Sequence, residues 1–195
     1  MNYYSAVRLL TIVSLFIILQ SCAIKGNFKG LYSYFNTTYK AKPELFSKEK
    51  WNCHEKNDNK VRIIRGKDIV KCLSQYSRSL VYIWSPNCTS DICYPLDEIQ
   101  KYCNRQGIEL FIVAEYYDAE KMTQQYTVKN PILAIDTEYY KTNITKRYVA
   151  LFLKDIDFLS PLQNRYLLFE KGNFSREIYD IFNDEKLKLE EALTY

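Results

Sequence analysis

The sequence predicts an α/β fold with a mixed central sheet over residues 61–195. Two continuous apolar runs, at residues 79–84 and 108–114, have the composition of strands that are buried on both faces of a sheet. Segments with apolar residues at helical spacing alternate with these runs. A later apolar run at residues 166–170 ends in a turn at Gly172, which indicates a hairpin. Alternating strands and helices favour parallel pairing, to which the hairpin adds antiparallel strands.

The first half of this region contains two predicted helices. Residues 61–64 are a β-branched run, which is typical of a strand. Residues 67–76 carry apolar side chains at helical spacing and predict a helix. Residues 91–104 predict the second helix, with Pro95 near its first turn, where proline is tolerated. Gly107 then ends that helix.

The second half adds shorter elements. The sequence predicts helices at residues 119–128 and 143–153, and a charged amphipathic closing helix at residues 184–193. Residues 131–135 form a short strand or a turn, and residues 173–179 form the second strand of the hairpin. The predicted order is therefore β-α-β-α-β-α, a further helix, then β-β-α.

The first 21 residues have the pattern of an export signal, so they are not counted in the fold. Arg8 is the only charged residue before an apolar run at residues 9–19. That run is shorter than the roughly 20 residues that cross a bilayer core of about 30 Å. Residues 19–22 (Leu-Gln-Ser-Cys) then supply an aliphatic residue, a loosely restricted position, a small residue and a cysteine.

Residues 19–22 resemble the lipobox of bacterial lipoproteins. The resemblance implies cleavage before Cys22, a diacylglycerol thioether on its sulfur, and an acyl chain such as palmitate on its amino group. Several acyl chains anchor a protein stably, because each buried methylene contributes roughly 0.8 kcal/mol. An uncleaved signal anchor, or cleavage elsewhere, is the alternative. The lipoprotein interpretation divides the chain into a signal peptide (1–21), a tether and loosely ordered lead-in (22–60) and a domain (61–195).

The lipoprotein interpretation makes a membrane the first partner and the cell envelope the location, facing the periplasm or the exterior. Ala23 follows Cys22, at a position where aspartate commonly retains lipoproteins at an inner membrane. The analogy therefore favours the outer membrane.

The sharpest local signal lies at the end of the first long strand. Trp84 ends this strand, and a short turn, Cys88 and then the predicted helix follow. This arrangement resembles membrane-anchored thioredoxin-like reductases, in which a strand is followed by a tryptophan, three further residues and a cysteine. The resemblance covers residues 61–193 and implies a thioredoxin-like three-layer α/β/α sandwich with Cys88 as nucleophile. Thioredoxins place the second cysteine three residues on, where this chain has Asp91, and here the second thiol is Cys93.

Residues 85–93 (Ser-Pro-Asn-Cys-Thr-Ser-Asp-Ile-Cys) also resemble the peroxiredoxin Q group, which has Thr/Ser-Pro-Gly-Cys-Thr, three residues and Cys. This resemblance implies that Ser85 supplies the active-site hydroxyl. Cys88 would attack peroxide and become a sulfenic acid, and Cys93 would resolve it.

The two resemblances also imply supporting residues far from the cysteines. The peroxiredoxin group has an arginine just before the penultimate strand, and Arg165 is near that place. Thioredoxin-like proteins have a proline that faces the cysteine, just before the penultimate strand. Pro161 is the candidate, although it lies several residues earlier in the chain than that position. Val81 and Asn87 depart from the peroxiredoxin pattern, which has proline and glycine there.

The spacing of the two cysteines makes a geometric prediction. In a regular helix, residues five apart have Cα atoms roughly 8 Å apart. A disulfide needs Cα atoms within about 7 Å. Either Cys88 therefore precedes the helix, or the first helical turn unwinds when Cys88 and Cys93 are oxidised. A thiol at a helix N-terminus is also favoured as the thiolate, which is the nucleophilic form.

The remaining cysteines leave more than one arrangement open. Cys53 and Cys72 could form a staple. Cys72 and Cys103 also occupy apolar helical positions, where a buried free thiol is common. His54 is the only histidine, so the sequence predicts no metal site and nearly excludes a cysteine–histidine hydrolase.

Two classes of function follow. The first is a lipid-anchored thiol–disulfide oxidoreductase or thiol peroxidase without a bound cofactor, acting on envelope-protein thiols and disulfides or on peroxide. The second is a non-catalytic lipoprotein for binding or envelope assembly, with Cys88–Cys93 as a structural disulfide. The net charge of +4 is small and scattered, which argues against nucleic-acid binding.

Overall fold

The computed structural model describes residues 30–47 and 49–188, which form a mixed α/β structure on one seven-stranded sheet. The predicted signal peptide, Cys22 and the end of the predicted closing helix lie outside the described residues. No helix within the described ranges is long and apolar enough to cross a membrane.

The sheet has the strand order β1-β2-β5-β4-β3-β6-β7. The first five strands in that order run parallel to their neighbours, whereas β6 is antiparallel to β3 and β7 is antiparallel to β6. The strands are β1 (Phe46–Ser47), β2 (Val61–Ile64), β3 (Arg78–Trp84), β4 (Glu109–Ala114), β5 (Leu133–Ile135), β6 (Tyr166–Glu170) and β7 (Asn173–Ile178).

Helices cover both faces of the sheet, as the continuous apolar strands require. On β3, Leu80 and Tyr82 belong to the core that contains residues of α3, and Val81 and Ile83 belong to the opposite core, beneath α2 and α5. The helices are α1 (Phe35–Ala41), α2 (Gly66–Leu73), α3 (Leu96–Arg105), α4 (Ala119–Met122), α5 (Thr145–Asp155) and α6 (Glu185–Lys188), with a 3-10 turn at Pro43–Leu45.

Helix α3 begins later than the sequence predicts. The prediction placed the helix at residues 91–104, whereas α3 starts at Leu96 with Pro95 as its N-cap. Proline disfavours helical backbone in the residue before it, so Tyr94 does not continue a helix into Pro95. Residues 91–95 form a turn and an irregular segment instead.

The predicted helix at residues 119–128 is also shorter, because α4 ends at Met122. The Asp118 carboxylate caps its start by accepting the Lys121 N–H at 3.0 Å. At the other end the Thr123 hydroxyl donates to the Ala119 carbonyl at 2.8 Å. Such side-chain bonds compete with continued helix.

The predicted lead-in contributes an edge strand to the sheet. Phe46 of β1 pairs with Val61 of β2 and is buried. Its ring lies 5.9 Å from the ring of Phe35 in α1 and 5.6 Å from that of Tyr117. Burial of these aromatic rings fixes residues 35–47 against the sheet.

A disulfide between Cys53 and Cys72 joins the lead-in to α2. Their Cα atoms are 5.3 Å apart, and Cys72 is buried. Of the arrangements that the sequence leaves open, the staple is therefore the one formed, and Cys72 is not a free thiol. Cys103 in α3 is a buried free thiol, as predicted.

Candidate functional site

The candidate site is the loop that joins β3 to α3, where Cys88 and Cys93 form a disulfide. Their Cα atoms are 6.0 Å apart, and both residues are partly exposed. The loop starts at the carboxyl end of β3, an inner strand that pairs with β4 and β6. A rigid sheet therefore presents the sulfur–sulfur bond close to the surface.

Both cysteines precede the helix. The Cys88 N–H donates to the Ser85 carbonyl at 3.0 Å, and the Cys93 N–H donates to the Ser90 carbonyl at 2.9 Å. These two turns bring the sulfurs together without any helical segment between them. The bond therefore needs no unwinding of a helical turn. Helix α3 begins at Leu96, eight residues after Cys88, so Cys88 is not part of its first turn.

Asn87, directly before Cys88, is held by two residues that follow β4. Its backbone N–H and its side-chain Nδ2 both donate to the Tyr116 hydroxyl oxygen, each at 3.1 Å. Nδ2 also donates to Asp118 Oδ2 at 2.7 Å. The chain entering Cys88 is thus fixed to the neighbouring strand's loop.

The chain around Cys93 is held from the other side of β3. The Tyr166 hydroxyl on β6 donates to the Ile92 carbonyl at 3.2 Å. The Tyr94 hydroxyl donates to Asp180 Oδ1 at 2.9 Å, beyond the end of β7. Each cysteine therefore lies next to a residue that a distant element restrains.

The phenols in these contacts are held in their protonated, donating form. Burial, with the neighbouring Tyr82 adding to it, raises the pKa of Tyr166 far above its ordinary value. Burial and the hydrogen bond to Asp180 raise the pKa of Tyr94. For Asp180, burial acts to raise the pKa, but hydrogen bonds from Asn183 and Tyr94 outweigh it and lower the pKa.

The predicted supporting residues differ in their burial and in their contacts. Trp84 is buried at the end of β3, with its ring edge-on to Tyr126 at 5.7 Å. Ser85 is partly exposed and supplies the carbonyl that accepts the Cys88 N–H. Pro161 is exposed and lines a groove shared with Arg165.

Arg165 lies directly before β6 and contacts the carboxyl end of β3. Its carbonyl accepts the Ile83 N–H at 2.9 Å, and its Nη1 donates to the Ile83 carbonyl at 3.1 Å. Nη1 also pairs with Glu115 Oε2 at 2.9 Å. The guanidinium is therefore neutralised by a carboxylate.

The other titratable and metal-ligating candidates do not join this site. His54 is exposed in the lead-in, and no group of three or more His, Cys, Asp or Glu suited to a metal occurs among the described residues. Burial raises the pKa of the Cys103 thiol to about 12, so this free cysteine is protonated at neutral pH.

Sequence reasoning found the two cysteines but missed the residues that restrain them. Asn87 stood out only as a departure from glycine. Tyr166 and Asp180 lie 74 and 86 residues from the loop residues that they bind. The abundance of tyrosine, at 18 residues, was the only signal available, and it does not say which ones meet the loop.

Comparisons of the chain with protein-family models, with curated proteins and with solved structures found no match. The function is therefore argued from the geometry of the loop and the sheet.

Proposed function

We propose that this chain is a lipid-anchored envelope protein whose thioredoxin-like domain exchanges thiols and disulfides at Cys88 and Cys93. The observation that carries the proposal is the position of this disulfide. It is partly exposed in a side-chain-restrained loop between an inner strand and the next helix. In the Cys53–Cys72 disulfide, by contrast, Cys72 is buried and only Cys53 is partly exposed.

The arrangement of strands supports the thioredoxin-like part of the proposal. Strand β3, helix α3 and strand β4 form a parallel unit, and the antiparallel hairpin β6–β7 lies on the other side of β3. The cysteine loop leaves β3 at the carboxyl edge of this unit. The sequence resemblance likewise implies a mixed sheet in which a late hairpin adds antiparallel strands to parallel ones.

The proposed reaction transfers two electrons. A thiolate of a partner dithiol attacks one sulfur of the Cys88–Cys93 bond, forms a mixed disulfide and releases the other cysteine as a thiolate. The second partner thiolate then attacks the mixed disulfide. The partner leaves as a disulfide, and Cys88 and Cys93 take up two protons as thiols. The reverse sequence reduces a partner disulfide.

Redox titration tests this proposal, with the second disulfide as an internal control. The full chain is equilibrated in graded glutathione buffers, and free thiols are alkylated and located by mass spectrometry. Cys88 and Cys93 are expected to titrate above about −300 mV, and Cys53 and Cys72 are expected to stay oxidised there. If both pairs resist reduction to the same potential, Cys88–Cys93 is structural and the proposal is wrong.

A thiol peroxidase is the second candidate. Arg165 directly precedes the penultimate strand, and a hydrogen-bonded turn joins Ser85 to Cys88. The Cys88 thiolate would attack peroxide, keep one oxygen as sulfenic acid and release the other as water or an alcohol. The Cys93 thiol would then form the disulfide and release water. Peroxide consumption by the reduced chain, lost in Cys88→Ser, separates this candidate from simple exchange.

A further inference from the structure

The outward face of α5 combines cations with an exposed leucine. Its inward side buries Tyr148, Val149, Phe152 and Leu153. Its outward side is one continuous stripe of exposed residues: Lys146, Arg147, Ala150, Leu151 and Lys154. The stripe therefore carries three cations and an exposed leucine, with no acidic residue among them.

The three cations of this stripe have no ion pair in the described part of the chain. By contrast, the exposed side of α3 mixes Glu98 with Lys101. The acidic residues nearest in sequence are Glu138, before α5, and Asp155 and Asp157, at and after its end. Asp155 accepts a hydrogen bond from the Tyr140 hydroxyl at 2.8 Å, and Asp157 follows the helix.

An apolar groove borders the stripe. It has a volume of about 750 Å³ and is lined in part by Leu31, Ala150, Lys154 and Leu159. Leu159 is 80% exposed and Leu31 is 48% exposed, although leucine side chains gain from leaving water. Cations and exposed leucines thus share one side of the molecule, which we call the α5 face.

The tether enters the domain at the α5 face. The Thr145 N–H donates to the Leu31 carbonyl at 3.1 Å, and Gly30 lines the groove. Cys22 precedes Gly30 by eight residues. Eight residues reach at most about 29 Å when fully extended. A lipid on Cys22 would therefore keep this side of the domain near the bilayer.

We propose that the α5 face docks on the membrane surface, with Lys146, Arg147 and Lys154 on anionic headgroups and Leu31, Leu151 and Leu159 at the interface. This inference rests on the lipid anchor of the proposed function. Cations next to a bilayer are attracted by anionic lipids, and leucines enter the headgroup region. Docking would fix the orientation of the domain, and hence the direction in which the Cys88–Cys93 loop meets its partners.

Lysine labelling of the full lipidated chain tests the docking. The chain is placed in vesicles of phosphatidylcholine alone or of equal parts phosphatidylcholine and phosphatidylglycerol, and amine labelling is quantified by mass spectrometry. On the anionic vesicles, Lys146 and Lys154 are expected to label at least about fivefold more slowly than in detergent. Lys101 on α3 is expected to label equally in both, and high salt is expected to remove the protection.

Substitutions separate docking from other causes of protection. Arg147→Gln and Leu159→Gln are each expected to restore labelling of Lys146 on anionic vesicles, while the matched change Lys101→Gln leaves its protection intact. Equal labelling of Lys146 in vesicles and detergent would overturn the docking. Protection that persists on phosphatidylcholine and in high salt would also overturn it, since a second copy of the chain would then be the cover.

The anchor and the docking fail in different ways. Absence of lipid from the Cys22 peptide in the mass spectrum refutes the anchor. The Cys22→Ser chain keeps the apolar segment at residues 9–19, so it can still be bound to vesicles for labelling. Protection of Lys146 and Lys154 there supports the docking without the lipid. Lack of protection there, together with equal labelling of the lipidated chain in vesicles and detergent, overturns it.

Discussion

At the scale of single residues, the loop depends on side chains that flank the cysteines. In the disulfide state the sulfur–sulfur bond itself holds the loop closed. In the dithiol state only contacts such as those of Asn87 and Tyr94 keep the two thiols close. Loss of such a contact therefore increases the conformational entropy of the loop more in the dithiol state than in the disulfide state. The loss should shift the equilibrium towards reduction.

Asn87→Ala tests this reasoning directly. It removes the side-chain bonds to Tyr116 and Asp118, which contribute about 1 kcal/mol in typical cases. We expect the equilibrium constant with glutathione to move towards the dithiol by about fivefold. The control is Asn104→Ala, which removes a bond to Gln100 far along α3. Equal equilibrium constants for the Asn87 variant and the unchanged chain would contradict the restraint.

At the scale of elements, the end of β7 is fixed to the start of α6 by an ion pair. Arg176 Nη1 and Nη2 donate to Asp184 at 2.5 and 2.8 Å. The Arg176 guanidinium holds the pKa of Asp184 below its ordinary value. A carboxyl with a lowered folded-state pKa stabilises the fold above its unfolded pKa of about 3.9, and this contribution disappears as the pH falls through the folded value.

Arg176→Gln is therefore expected to destabilise the chain in a pH-dependent way. Because both side chains are partly exposed, the loss at pH 7 should be about 1 kcal/mol in the free energy of unfolding. The loss should shrink as the pH is lowered below about 4. Urea unfolding at both pH values measures it, with the exposed, unpaired Arg147→Gln as control. A loss that is the same at both pH values would show that the pair is not its cause.

The crossing of α2 and α5 depends on the small size of Gly66. A Cβ added there would lie 2.5 Å from the Phe152 carbonyl oxygen, which is backbone and cannot move aside cheaply. Gly66→Ala is expected to lower the free energy of unfolding by about 1–3 kcal/mol, despite the better helix propensity of alanine. Lys67→Ala, at the next exposed position, should leave it nearly unchanged. A stabilised Gly66→Ala chain would mean that the two helices separate readily.

Elements with strong local signals could be predicted from the sequence, and those fixed by distant contacts could not. The continuous apolar runs identify β3 and β4 almost to the residue. The two-residue strand β1 has no such run and exists because Phe46 pairs with Val61 and packs on Tyr117. In the same way, the cysteine spacing identified the candidate site, but the residues that restrain it come from β6 and from beyond β4 and β7.

At the scale of the whole molecule, the two disulfides have different roles: one stabilises the fold, and the other is the proposed site of exchange. Cys53–Cys72 closes a loop across 19 positions and ties the lead-in to α2. Cys88–Cys93 closes one across only five positions. The loss of unfolded-chain entropy grows with the closed loop, so the first bond should contribute about 3 kcal/mol and the second about 2 kcal/mol. The Cys53–Cys72 bond also joins two separate segments of the chain, whereas the Cys88–Cys93 bond lies within one loop.

The last prediction compares the two bonds in one assay. Cys53→Ala leaves Cys72 as a buried free thiol, and it should lower the free energy of unfolding by about 3 kcal/mol. Cys88→Ala should cost less while abolishing the Cys88–Cys93 disulfide, so that Cys93 can form only a mixed disulfide with glutathione. Urea unfolding and thiol trapping on both variants measure the two effects. If Cys88→Ala proved the more destabilising change, the loop disulfide would be the structural bond, and the assignment of exchange chemistry to it would lose its main support.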